Sequence, residues 1–192
     1  MTGAGALAGL SALTYSGRVR DVFERLERLG VRYYMTGSEA LARYAQPRQT
    51  MDVDIVIETT PGGFAPIARA FEGDYVVNEP IDVGGHWMAS LIATSALGKA
   101  DLMLDRRDGW ARSAMERRER WDHPQYGPLW VASLEDLLLA KLEWSGGTSE
   151  LQLRDCRNLV ALNRDAIDWP YVERWAAVLG VSDTLDAVRH AP

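Results

Sequence analysis

Asp52 and Asp54 constrain this chain more than any other pair of residues, because they stand two apart in a stretch that alternates like a half-buried strand. Within residues 51–58, Met51, Val53, Ile55 and Ile57 fall on one face, and Asp52, Asp54, Val56 and Glu58 on the other. Two carboxylates so placed share a face and repel each other unless something neutralises them. A divalent cation that prefers oxygen, Mg²⁺ or Mn²⁺, is the natural partner, since it binds through a few carboxylates and completes its shell with water and phosphate. The plain alternative is a solvated strand face, which acidic residues commonly line.

Upstream, 31–35 is β-branched and aromatic and runs into Thr36-Gly37-Ser38, after which 39–44 reads as a short helix ended by Pro47. In a strand–turn–helix of this kind, glycine lets the backbone approach an anion, the helix start presents N–H groups, and Ser38 adds a donor. Ser38 capping the helix and Gly37 making the turn is the simpler reading of the dipeptide taken alone.

Around these elements, Val19, Val22, Phe23, Leu26 and Leu29 predict an amphipathic helix stopped by Gly30. Further strands are expected at 75–77, 87–93, 99–104 and 129–131, with helices at 64–71 and 108–118. From Ser133, with Asp136 three residues on in a near capping box, the remainder is helical: 133–144, 150–163, 169–179 and 182–190. The expected organisation is a loosely ordered start (1–17), an α+β core with a mixed sheet (18–131) and a helical subdomain (132–192).

At 192 residues, 47% hydrophobic and 25% charged, the chain can bury a real core, and its net charge of −6 argues against generic wrapping of a nucleic-acid backbone. The single Cys156 and the scattered His86, His123 and His190 offer neither an internal disulfide nor zinc-ligand spacing, so a reducing cytoplasm is expected. No lysine or arginine precedes Arg18, unlike a secretory signal, and no apolar run approaches the ~18 residues of a membrane span.

Taken together, Met-Thr-Gly-Ser-Glu-Ala-Leu (35–41), Pro-Arg-Gln-Thr-Met-Asp-Val-Asp-Ile-Val (47–56) and Lys-Ala-Asp-Leu-Met-Leu (99–104) resemble the polymerase-β-like nucleotidyltransferase superfamily. They supply its Gly-Ser, Asp-x-Asp and third-carboxylate elements in order. The form Arg48, Thr50, Asp52, Asp54 is similar to the minimal nucleotidyltransferases, including the AbiEii-type toxin group of toxin–antitoxin systems. Residues 132–144 and 152–159 are similar to the helical tail of a bacterial nucleotidyltransferase-like group, and the likeness spans most of 31–180.

The resemblance implies that Asp52, Asp54 and Asp101 hold Mg²⁺ (or Mn²⁺), with Asp101 beside the acceptor. It implies that Gly37, Ser38, Arg48 and Thr50 bind a nucleoside triphosphate, Ser38 and Arg48 at its phosphates. In the related toxins a tail lysine and aspartate join the site, which by motif position are Lys141 and Asp155; the alternative places both on exposed helix faces, paired with each other. The implied product is a nucleotidylated hydroxyl or phosphate on RNA, protein or a small molecule. A toxin of that chemistry held by a cognate antitoxin, and an inactive nucleotide-binding or structural module of the same fold, stay open beside the enzyme.

Six arginines fall within 106–120 against Asp108, Glu116 and Glu119. An RNA or tRNA contact is conceivable there, but a solvated helix face with internal ion pairs is the simpler expectation. Trp169 and Trp175, on or beside an apolar helical stripe, are expected in the core.

Overall fold

The structure is a computed structural model that describes residues 4–47, 50, 52–95 and 98–190, with side chains from Tyr15 onward. It divides into two compact units, the first formed by Met1–Met35 and Thr50–Val131, the second by Thr36–Gln49 and Ala132–Pro192. The chain thus crosses between units near residue 132, where its character turns helical, and also around the strand–turn–helix at 36–49.

In the first unit, α1 (Ala4–Arg28) takes in much of the stretch read as a loose end, as its alanine-rich sequence favours. Its Val19, Val22, Phe23 and Leu26 are at most 2% exposed, and Phe23 stacks on Tyr33 with ring centroids 5.6 Å apart. The strands are β1 (Tyr33–Thr36), β2 (Asp52–Ile57), β3 (Tyr75–Val77), β4 (Ile81–Val83), β5 (His86–Ala93), β6 (Lys99–Leu104), β7 (Glu119–His123) and β8 (Gly127–Val131). They form one sheet in the order β3-β5-β6-β2-β1-β8-β7, with β4 also on β5. The sheet is mixed: β2 with β6 and β1 with β8 are parallel, while β3, β4 and β6 on β5, and β7 on β8, are antiparallel.

Strands β2 and β6 alternate half-buried and buried residues along their whole length. Val53, Ile55, Ile57, Ala100, Leu102 and Leu104 enter the core, so period two leaves Asp52, Asp54, Lys99 and Asp101 together on the opposite face. Helices α3 (Ala65–Arg69) and α4 (Gly109–Arg117) complete the unit, α4 capped by Asp108, whose side chain accepts from the Ala111 N–H. Strands β4 and β7 escape the sequence reading. β4 is exposed throughout and owes its existence to a hairpin turn at Gly84-Gly85, both at positive φ, while β7 alternates charged and aromatic residues without an apolar face.

The β7–β8 hairpin buries His123 against Tyr126, rings 9° from parallel and 4.3 Å apart. The N–H groups of Gln125 and Tyr126 donate to its Nδ1 at 3.1 and 3.2 Å, which requires the neutral ring with its proton on Nε2. Burial pushes its pKa down to about 4.

The second unit consists of α2 (Gly37–Tyr44), α5 (Leu134–Ser145), α6 (Glu150–Asn163), α7 (Trp169–Leu179) and α8 (Ser182–Arg189). α5 is its centre and is buried on nearly every side, including Glu135, Asp136 and Lys141. Each of these polar groups has a partner, as a buried one must. The Ser133 hydroxyl donates to Asp136 at 2.6 Å, Tyr171 donates to the other Asp136 oxygen at 2.7 Å, and Glu135 accepts from the Asp168 N–H at 3.1 Å. Lys141 pairs with Asp155 of α6 at 2.9 Å, their side chains 3% and 4% exposed. These two are therefore paired, but not on exposed faces. Trp169 and Trp175, expected in the core, are only half-buried on α7.

Two measurements test these packing assignments. Because the folded His123 binds its proton more weakly than the unfolded one, stability is fully present above pH 6.5 and falls toward pH 4, by on the order of 3 kcal/mol. Melting curves across that window should flatten in His123→Asn; an unchanged slope would show that His123 is not the group responsible. Lys141→Met, which strands a buried carboxylate, should cost about 3–5 kcal/mol in denaturant unfolding, with much of it recovered in Lys141→Met/Asp155→Leu. A cost within the roughly 0–1 kcal/mol of a surface pair would contradict the buried assignment.

Candidate functional site

The parallel register of β2 and β6 sets Asp54 opposite Asp101 and Asp52 opposite Lys99, and the antiparallel register of β5 sets Ser90 opposite Asp101. All five side chains share the face that the core leaves free. Asp101 is more enclosed than Asp52, 14% exposed against 46%. Both its oxygens are engaged: the Ser90 hydroxyl donates to Oδ1 at 2.6 Å and the Lys99 ammonium to Oδ2 at 2.8 Å. The same ammonium lies 3.8 Å from Oδ2 of Asp52.

Lys99 is consequently held in its charged form. Its hydrogen bond to Asp101 raises its pKa, partial burial opposes this, and the charges of Asp101, Asp52 and Asp54 add to the rise. At the entry to β2, the Thr50 hydroxyl bonds the backbone of its neighbour, donating to the Asp52 carbonyl at 3.2 Å and accepting from the Asp52 N–H at 3.4 Å. Thr50 thereby fixes how the strand starts.

The donor set suits a hard divalent cation, since Asp52, Asp54 and Asp101 offer only carboxylate oxygen and already surround a positive charge. As the side chains stand, however, no three His, Cys, Asp or Glu among the described residues are gathered for coordination. The carboxylates are arranged around an ammonium.

The other sequence-predicted residues belong to the second unit or lie outside the description. Gly37 opens α2 at φ 66°, a left-handed conformation that side chains strain to adopt. The N-cap is Thr36, extended and without a side-chain capping bond, so Ser38, 6% exposed, is a buried helical residue and not the cap. Lys141 and Asp155 hold each other, with Gln152 accepting from Lys141 at 3.2 Å. Arg48 lies outside the described residues.

Two members of the carboxylate face went unassigned in the sequence reading. Lys99 stands two before Asp101, so the alternation that paired Asp52 with Asp54 also puts Lys99 on that face. Ser90 carries no comparable signal, because only cross-strand register brings it to Asp101.

The arginine-rich stretch is spent largely within its own unit. Arg106 pairs with Asp108 at 2.9 Å, Arg120 with Glu27 at 2.6 Å, Arg112 donates to the Arg107 carbonyl at 2.7 Å, and Arg118 lies 4.5 Å over the Trp130 ring. Among the described residues, no helix is long and apolar enough to cross a membrane.

No family model matches the sequence, and no match to a curated protein is found. Solved structures do match. An antigenic nucleotidyltransferase-like protein of Paracoccidioides brasiliensis superposes with a TM-score of 0.54 at 17% identity, over 90% of this chain and 92% of that one. A proposed nucleotidyltransferase of Thermotoga maritima gives 0.54 at 21% identity, over 73% and 91%. The antibiotic-resistance factor ANT(2'')-Ia, crystallised with adenylyl-2''-tobramycin, gives 0.53 at 14% identity, over 87% and 97%. At these identities the likeness is one of architecture: the chain shares the mixed α/β fold of these nucleotidyltransferase-like structures.

Proposed function

We propose that the chain is a cytoplasmic nucleotidyltransferase that moves a nucleoside monophosphate from a nucleoside triphosphate to an acceptor hydroxyl or phosphate on RNA, protein or a small molecule. The observation that carries this reading is the register match of Asp54 with Asp101, with Asp52 two residues before Asp54 on the same face, in a chain of this fold. The three carboxylates are its catalytic and metal-holding residues. Mg²⁺ or Mn²⁺, when bound, supplies the charge that neutralises the triphosphate and the departing pyrophosphate.

Asp52 and Asp54 are the residues that would hold that ion, with Asp101 completing the site. Asp101, on the acceptor side, receives the proton of the acceptor hydroxyl as its oxygen bonds the α-phosphorus and the bond from that phosphorus to pyrophosphate breaks. Gly37, Ser38 and Arg48 are assigned to the nucleotide as a close-approach glycine, a hydroxyl donor and a forked cation, and Thr50, whose hydroxyl bonds the Asp52 backbone, through its place at the strand entry.

A second reading has a specific observation in its favour. The Lys99–Asp101 ion pair occupies the third carboxylate, as a nucleotide-binding or structural module that no longer catalyses could retain it. The narrower reading, a toxin held by a cognate antitoxin, assigns Lys141 and Asp155 to catalysis as well, and their mutual burial makes a purely structural role the competing account.

In the enzyme reading, Asp52→Asn/Asp54→Asn abolishes metal-dependent NTP binding by calorimetry while the metal-free melting temperature holds or rises, because the substitution relieves carboxylate repulsion. Equal binding by wild type and double mutant would remove these residues from the metal site. Asp101→Asn should lower the single-turnover rate of transfer by about a hundredfold or more while changing the NTP Kd little. Equal losses in both quantities, or none, would refute the division of labour; nucleotide binding with no label ever reaching an extract, RNA or self acceptor would favour the inactive module.

A further inference from the structure

We propose that Lys99 is a resident counter-cation of the carboxylate cluster, displaced when metal and nucleotide arrive together, so that the site takes a metal–nucleotide pair and resists bare metal. The proposal rests on the nucleotidyltransferase reading of the three carboxylates and adds a gating residue to it.

Two observations carry it. The Lys99 ammonium bridges Asp101 and Asp52, at 2.8 and 3.8 Å, and so stands where a shared metal would have to bind. Ser90 holds the other Asp101 oxygen, so a cation placed between Asp101 and Asp52 meets the ammonium already seated on Oδ2.

The exchange is physically easy in one direction only. Lys99 is 38% exposed and ends a flexible four-carbon stem, so its ammonium can leave Asp101 without moving the backbone. A bare divalent ion offers the expelled ammonium no new partner. A metal-bearing triphosphate brings several negative oxygens, which compensate the ammonium for the carboxylates it gives up. Metal and nucleotide therefore bind with positive coupling, and Lys99 is its source.

The test titrates Mn²⁺ into the full chain, reading free Mn²⁺ by electron paramagnetic resonance, with and without a non-hydrolysable NTP analogue. Lys99→Met and Lys99→Gln should bind Mn²⁺ alone about tenfold tighter than wild type, within the usual range of coupling factors. Lys99→Arg, which keeps the charge, should stay weak. With the analogue present, wild type should gain Mn²⁺ affinity and the neutral variants should gain less. Metal-free melting curves establish that each variant is folded, and Lys99→Gln serves if Lys99→Met does not fold. Neutral variants that bind bare Mn²⁺ no tighter than wild type, or a wild type whose Mn²⁺ affinity ignores the nucleotide, would overturn the proposal. Adding Asp52→Asn/Asp54→Asn to Lys99→Gln separates the two failures: if Mn²⁺ binding survives that change undiminished, the carboxylate site itself is misassigned.

Discussion

Crowding of negative charge on one face of a sheet is the constraint from which the first unit's chemistry follows. Asp52, Asp54 and Asp101 come together because β2 and β6 run parallel in a register that no local change can shift. A slip by one residue would turn Val53, Ile55, Ala100 and Leu102 out of the core and the carboxylates into it. The core therefore holds the repelling groups in place. At about 4 Å two like charges repel by roughly 4 kcal/mol at a surface-like effective dielectric, so a cation seated among the carboxylates stabilises their arrangement. Lys99 is that cation in the state described here.

The second unit solves the opposite problem, that of burying polar groups in a helical core. α5 carries Glu135, Asp136 and Lys141 into the interior, and each is matched by a donor or acceptor from α6, from α7 or its cap, or from the cap of α5 itself. Replacing such a pair outright by apolar side chains of similar size is often neutral or stabilising, whereas removing one partner leaves the other buried and unmatched. This bears on function. Lys141 and Asp155 already satisfy each other, so any catalytic use of them requires the substrate to offer a better partner than a 2.9 Å buried ion pair.

How much of this was legible in the sequence depends on whether the signal was local. Alternation at 51–58 and 99–104 predicts β2, β6 and the shared face of Asp52 and Asp54, and three- and four-residue spacing predicts the α1 stripe, because one element's own period encodes both. Strand β4 is a hairpin partner with no buried residue, β7 presents charge and aromatics alternately, and Ser90 meets Asp101 only through pairing across strands. Those features are set by the neighbour and not by the segment. Lys141 illustrates the same limit from the other side: a lysine on a helix reads as a surface residue until the helix proves to be surrounded. The Gly37-Ser38 turn was visible, but that Thr36 and not Ser38 sits at the cap is a matter of one residue's backbone angle.

Fold likeness and site chemistry carry different weights in the functional argument. A shared architecture places a sheet and its helices, and the same architecture hosts many reactions, so it sets the prior and leaves the activity to the side chains. Here the side chains say two things at once. Carboxylates alone on adjacent strands describe a site for a hard metal, whereas carboxylates closed on a lysine describe a balanced surface that needs no metal. The two descriptions are compatible only if the ammonium is a replaceable ligand, and its exposure, its monovalent charge and its flexible stem are the properties that make it one. A guanidinium forked onto Asp101 would bind it through two hydrogen bonds and yield far less readily. On the proposed exchange, lysine in place of arginine at residue 99 is what would keep a metal site and a metal-free ion pair accessible to the same few side chains.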